Sequence, residues 1–295
     1  NGSGGDDIIS SLDDLNLRDL LVTNFANVII DSDNNQVGAT LASNTGSSLS
    51  GLTITGTGDD LVTSDGQINL IATTLSGISN VNFDLSGGGT VILQADAATN
   101  FNGASIAGNG GDDEIQSNDN LILENVTLSS INRIVVDGDN NEAATLQVNA
   151  STALGGAIIQ ATGNNDIVAS NGSLNLEGVV MNNLGLIKVD ADNTEAASLQ
   201  VNASTDFNGT DVTGFGGNDT VLSNEGMNLN GVTLTNISQV QIDADRRGVG
   251  AAQRPVGVVA AAIKGIVADR DIRCEHVREG IPRRAFNVDV LIVRV

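Results

Sequence analysis

The chain has 295 residues, a net charge of −23, no Trp, no Tyr and only six Phe, so any core must be built from Val, Ile, Leu and Ala, which suits thin sheets. Residues 1–245 carry 31 acidic side chains against three basic ones, Arg18, Arg133 and Lys188, a net −28 that disfavours nucleic acid and anionic lipid as partners and favours cations. No apolar run reaches the roughly 18 residues of a membrane span, and a single cysteine, Cys274, rules out an internal disulfide framework.

The chain opens on Gly5-Asp6-Asp7, a turn-like segment that returns as Gly58-Asp59-Asp60, Gly111-Asp112-Asp113, Asn164-Asn165-Asp166 and Gly217-Asn218-Asp219, every interval being 53 residues. The same offset links Ser11, Ser64, Ser117, Ser170 and Ser223, then Leu17, Leu70, Leu123, Leu176 and Leu229, then Asp31, Asp84, Asp137, Asp190 and Asp243. Residues 1–245 are therefore four full repeats and a partial fifth, and a chain that opens directly on a repeat reads as a piece of a longer protein.

Within a unit, short bursts such as Ile167-Val168, Leu174-Asn-Leu176, Val179-Val-Met181, Ile187-Lys-Val189 and Leu199-Gln-Val201 are separated by Gly, Asn and Asp, which predicts strand-turn-strand segments. About six short strands per unit cannot close on themselves, but they can stack on their neighbours. The prediction is an all-β parallel solenoid with about two rungs of roughly 26 residues per repeat, three rungs of roughly 18 being the competing count. In that picture equivalent side chains form columns, with Asn16, Asn69, Asn175 and Asn228 as an amide ladder interrupted at Ile122.

The turn Gly-x-Asp-x-(Ile/Val), as in Gly111-Asp112-Asp113-Glu114-Ile115 and Gly217-Asn218-Asp219-Thr220-Val221, resembles half of the calcium-binding nonapeptide of RTX (hemolysin-type) bacterial secreted proteins. The resemblance covers about nine residues per unit. It departs at Gly108-Asn109-Gly110-Gly111 and at Asn164, and the motif occurs once per 53 residues instead of in direct tandem. It implies a β-solenoid, Ca²⁺ as cofactor, and a secreted or surface location.

A second acidic turn recurs as Asp31-Ser-Asp33-Asn-Asn35, Asp137-Gly-Asp139-Asn-Asn141 and Asp190-Ala-Asp192-Asn193, whereas Asp84 is followed by Leu-Ser-Gly-Gly-Gly. Because Asp7 and Asp31 are 24 residues apart, close to one rung, the two kinds of turn are expected to stack on neighbouring rungs and to hold Ca²⁺ between them. The candidate ligands are Asp7, Asp60, Asp113, Asp166 and Asp219 from the first turn, and Asp31, Asp33, Asp137, Asp139, Asp190, Asp192 and Asp243 from the second. The alternative is that these side chains only accept backbone N–H bonds within tight turns.

Residues 246–295 break the register, carry ten basic and five acidic side chains, and contain both prolines, Cys274 and His276. This tail reads either as a basic cap or docking segment or as an extraneous stretch joined at Asp245; its apolar runs Val256 to Ala262 and Val288 to Val293 suit a strand or a short helix.

No unique pair of catalytic carboxylates stands out, because acidic pairs recur in homologous turns, so a non-enzyme is expected. The expectation is a structural or adhesive repeat segment of a large bacterial extracellular or cell-surface protein, stabilised by calcium. Surface glycans or other surface proteins are its candidate partners, and open solenoid ends favour end-to-end self-association. The alternative is a non-catalytic fragment of a carbohydrate-active β-helix protein.

Overall fold

The computed structural model describes residues 2, 7–34, 38–85, 87–163, 165–216 and 218–242, together with the backbone of 274–276 and 291–294. It is all-β, a parallel solenoid of about ten turns. Alternation places one residue of each short strand inward, and Gly, Asn and Asp with positive φ turn the chain at the corners.

Each turn has three faces. On the third face Ile68, Leu93, Ile115, Ile134, Ile159 and Met181 pair in succession. The first face runs through Ile9, Val28, Ile54 and Leu75, and further along through Leu121, Leu146, Val168, Ile187, Val212 and Leu234. The second face runs through Leu15, Leu41, Val62, Val81, Ile106 and Leu128, then Leu174, Leu199, Val221 and Val240. Nearly all of these side chains are fully buried, and together they form one continuous core. Two long strands, Thr53–Ser64 and Thr74–Asn82, bend around the corner between the first and second faces.

The pairings fix how the repeat maps onto the coil. The unit beginning at Ile115 has seven inward positions: Ile115, Leu121, Leu128, Ile134, Leu146, Leu154 and Ile159. Each pairs with the third position further along, as in Ile115 with Ile134 and Leu121 with Leu146. Seven positions at three per turn give two and a third turns per unit, which agrees with the expected two or so. Because seven is not a multiple of three, each unit starts one face further round than the unit before it.

The columns expected from the 53-residue register therefore do not form. Asn16 lies on the second face, Asn69 on the third and Asn175 on the second, several turns away from Asn16. In place of a ladder, each of these amides closes its own corner: the Oδ1 atoms of Asn16, Asn69, Asn175 and Asn228 accept the N–H of Arg18, Ile71, Glu177 and Asn230. The serine register has the same local role, since Ser64, Ser117, Ser170 and Ser223 each accept an N–H two residues on and donate to a carbonyl three residues on.

At the C-terminal edge, the strand Leu291–Arg294 pairs antiparallel with Ile237–Ile242, and Cys274–His276 pairs antiparallel with Leu291–Arg294. The Val288 to Val293 run thus contributes a strand; Val256 to Ala262 lies outside the described residues.

Candidate metal centre

The first-turn aspartates enter a strand and the second-turn aspartates leave one. Asp31 follows the strand Phe25–Ile29, adopts φ 50°, and sits at the corner between the first and second faces. Asp60 reaches the same corner one turn later, because Val28 pairs with Ile54. By the same construction Asp84 meets Asp113 between the second and third faces, Asp137 meets Asp166 between the third and first, and Asp190 meets Asp219 between the first and second again. All eight carboxylates are buried.

The two kinds of turn do stack on neighbouring rungs, but across the boundary between repeats. Asp31 belongs with Asp60, not with Asp7. Asp7 is half-buried at the start of Asp7–Ser10, at the corner between the third and first faces. Asp33, Asp139 and Asp192 are exposed; Asp139 accepts from Asn141 Nδ2 and Asp192 from Thr194 Oγ1. Asp243 lies outside the described residues.

Within each pair the first-turn aspartate ties two rungs together. Its Oδ1 accepts a backbone N–H from the preceding turn of the coil: Ala39 to Asp60 at 2.8 Å, Val91 to Asp113 at 3.1 Å, Ala144 to Asp166 at 2.8 Å and Ala197 to Asp219 at 2.9 Å. Its Oδ2 faces the partner aspartate's corner and in three units accepts a local N–H, from Thr57, Asn109 or Gly163. The second-turn aspartate closes its own loop through its carbonyl, which accepts the N–H of Asn34, Gly87, Asn140 or Asn193. The expectation that these side chains accept backbone donors holds, and it accounts for only some of their oxygens.

Burial pushes the Asp137 carboxyl above the ordinary carboxylate range; Asp166 and Asp139 add to the rise, and the N–H groups of Asn141 and Glu142 oppose it. Asp113 is raised in the same way by burial, with smaller contributions from Asp84 and Asp112 against the N–H groups of Val91 and Asn109. Among the described residues the ion pairs, Arg18–Asp65 and Arg133–Glu114, lie away from these corners. Buried without a hydrogen-bond partner are Asp190 Oδ2 and Asp219 Oδ2.

Among the described residues no three His, Cys, Asp or Glu side chains converge. A hard cation at a corner therefore has two carboxylates and must draw the rest of its six to eight oxygens from amides, carbonyls and water. The amide is present in three units, as Asn34, Asn140 and Asn193, and in the last two a glycine opens onto it. A methyl group built on Gly163 would lie 3.0 Å from Asn140 Oδ1, 3.6 Å from Asp166 Oδ2 and 3.7 Å from Asp137 Oδ2, so three oxygens from two rungs face one small volume. At Gly216 the same construction meets Asn193 Oδ1 and lies 3.5 Å from Asp190 Oδ2.

Asp84, Asn140 and Asn193 are not among the ligands expected from the sequence. The signal was available, since Asn34, Gly87, Asn140 and Asn193 are spaced by 53 and all have positive φ.

One further polar cluster departs from the repeat. Arg133 Nε and Nη2 both lie 2.9 Å from Glu114 Oε2, and Asn132 Nδ2 donates to Asp112, beside a shallow depression of about 260 Å³. Other units place Leu61, Ile167 and Thr220 where Glu114 stands.

No protein-family model, curated protein or solved structure matches this chain. No helix among the described residues is long and apolar enough to cross a membrane.

Proposed function

We propose that the array is a structural, adhesive segment of an extracellular or cell-surface protein, stiffened by Ca²⁺ bound at its acidic corners. The observation that carries this reading is the stacking of two buried carboxylates on adjacent turns at each of four successive corners. Two like charges side by side in a poorly hydrated corner oppose folding unless a proton or a cation intervenes. Calcium suits the donor set, which is all oxygen, carboxylate-rich and built on flexible loops. Ligation from successive turns turns cation affinity into folding free energy.

A secreted setting fits this reading because millimolar calcium would keep such sites filled. The RTX-type resemblance points the same way, although here each site joins a first turn to a second turn rather than two copies of one motif. The reading is favoured over a carbohydrate-active one because Glu114, an acid where the other units have Ile8, Leu61, Ile167 and Thr220, is held by Arg133, and the chain offers no Trp or Tyr as a sugar platform.

Thermal melting of the full chain, followed by circular dichroism with millimolar CaCl₂ and again with a chelator, tests the reading. The expected outcome is a midpoint higher with calcium by on the order of ten degrees. Coincident melts would overturn the calcium part and leave a metal-free rod.

A further inference from the structure

The four double-aspartate corners are not equivalent, and the differences lie in one or two atoms each. At Asp31–Asp60 the hydroxyl of Thr57 donates to Asp31 Oδ2 at 2.7 Å and lies 3.5 Å from Asp60 Oδ2, while the Thr57 N–H donates to Asp60 Oδ2 at 2.6 Å. A protein O–H thus sits between the two carboxylates. Three residues before the first-turn aspartate, the later units have Gly110, Gly163 and Gly216 in place of Thr57. Gly163 keeps the backbone part of the contact, its N–H donating to Asp166 Oδ2 at 3.2 Å, but leaves the hydroxyl's place open.

The Asp84–Asp113 corner has the open glycine but lacks the amide, because Gly87 stands where Asn140 and Asn193 stand. The remaining two corners have both features. In one, Asn140 Oδ1, Asp137 Oδ2 and Asp166 Oδ2 surround the position of a Gly163 methyl group. In the other, Asp190 Oδ2 and Asp219 Oδ2 are fully buried and unpartnered, with Asn193 Oδ1 alongside.

Resting on the calcium reading above, we propose that two of the four corners are cation sites, Asp137–Asp166 with Asn140 and Asp190–Asp219 with Asn193, each holding one Ca²⁺ across a repeat boundary. At Asp31–Asp60 the Thr57 hydroxyl replaces the ion, and Asp84–Asp113 stays empty for want of a third side-chain oxygen. The number of bound ions is then set by the residue three before each first-turn aspartate and the residue three after each second-turn aspartate. An array can therefore mix calcium-dependent and calcium-independent junctions.

Calorimetric titration of CaCl₂ into the full chain at physiological ionic strength tests this. Two sites are expected, falling to one in Gly163→Thr and to none in the double variant Asp166→Asn/Asp219→Asn. Gly163 has an ordinary φ, and an added Cβ is tight only against the flexible end of Asn140, at 3.0 Å, with Asp166 Oδ2 and Asp137 Oδ2 at ordinary contact distance, so Gly163→Thr is expected to fold in chelator as the parent does. Thr57→Gly, which frees the first corner beside Asn34, is expected to raise the count to three. Four sites in the parent, or two retained in Gly163→Thr, would overturn the proposal while leaving the calcium reading intact. Absence of any binding in parent and Thr57→Gly alike would overturn both.

Discussion

Asp113 isolates what a buried carboxylate does to this array without a cation. Its Oδ1 must accept from Val91 for two rungs to hold register, so the side chain is retained in spite of a desolvation that favours its protonated form. A carboxyl whose folded pKa exceeds its unfolded value binds more protons in the folded state. Stability therefore falls as pH rises from the ordinary carboxylate value through the raised one, by about 1.4 kcal/mol per unit of difference. Stability is correspondingly gained on mild acidification, over that window only. Following the Asp113 side-chain carboxyl carbon by NMR in chelator should show a midpoint above the ordinary carboxylate range, and an ordinary or lower midpoint would remove this link. The identity of the acidic residues was legible because glycine, asparagine and aspartate recur at turns in strict register. Which aspartate meets which was not, since Asp7 and Asp31 are closer in sequence than Asp31 and Asp60, yet only the latter pair shares a corner.

At the scale of the strand, the period-two bursts read from sequence reappear as Ile167–Ala169, Leu174–Asn175, Val180–Asn182, Leu186–Val189 and Ser198–Val201. The sequence pattern predicts about six strands per unit where the coil uses seven inward positions, and that one position changes the geometry. The missing element is a single bridge, Thr127 to Ala153, repeated as Thr74 to Asn100 and Val180 to Asp206. In Ser151-Thr-Ala-Leu-Gly155 no alternation announces it; its inward residue is Leu154 or, in other units, Phe101 and Phe207. Six positions at three per turn would give two whole turns and true columns, whereas seven give none. Paired cysteines distinguish the two arrangements. Gln94 and Gln116 face outward on adjacent strands in direct register, so Gln94→Cys/Gln116→Cys in a Cys274→Ser background should oxidise readily, since neighbouring strands about 4.8 Å apart fall within disulfide reach. The pair Val135→Cys/Ala169→Cys, which six positions per repeat would bring into register in place of Val135 with Gln160, should stay reduced, and its efficient oxidation within one chain would restore the column picture.

For the whole molecule, the fractional winding means that any feature of the repeat visits all three corners in turn and returns to the same one after three units, as Asp190–Asp219 returns to the corner of Asp31–Asp60. A rod decorated in this way carries its acidic turns around its circumference instead of along one edge, which spreads the net −28 of residues 1–245 and lessens its self-repulsion. It also makes the 53-residue unit, not the turn of the coil, the quantity that can be added or removed. Deleting residues 114–166 joins Asp113 to Ile167, recreating the natural Asp166-Ile167 junction, and takes out seven inward positions; every remaining strand still finds a partner three positions away. The shortened chain should fold with a melting midpoint within a few degrees of the parent's, on the order of the loss of one neighbour term, and be shorter by about 11 Å, two and a third turns at roughly 4.8 Å each. Small-angle scattering measures that length. A deletion of half a unit removes three and a half positions, turns one face outward from the cut onward, and should lose cooperative melting. If the half-unit deletion melted as well as the whole-unit one, the winding of seven positions at three per turn would be wrong, and the two-rung repeat with stacked columns would be the better account.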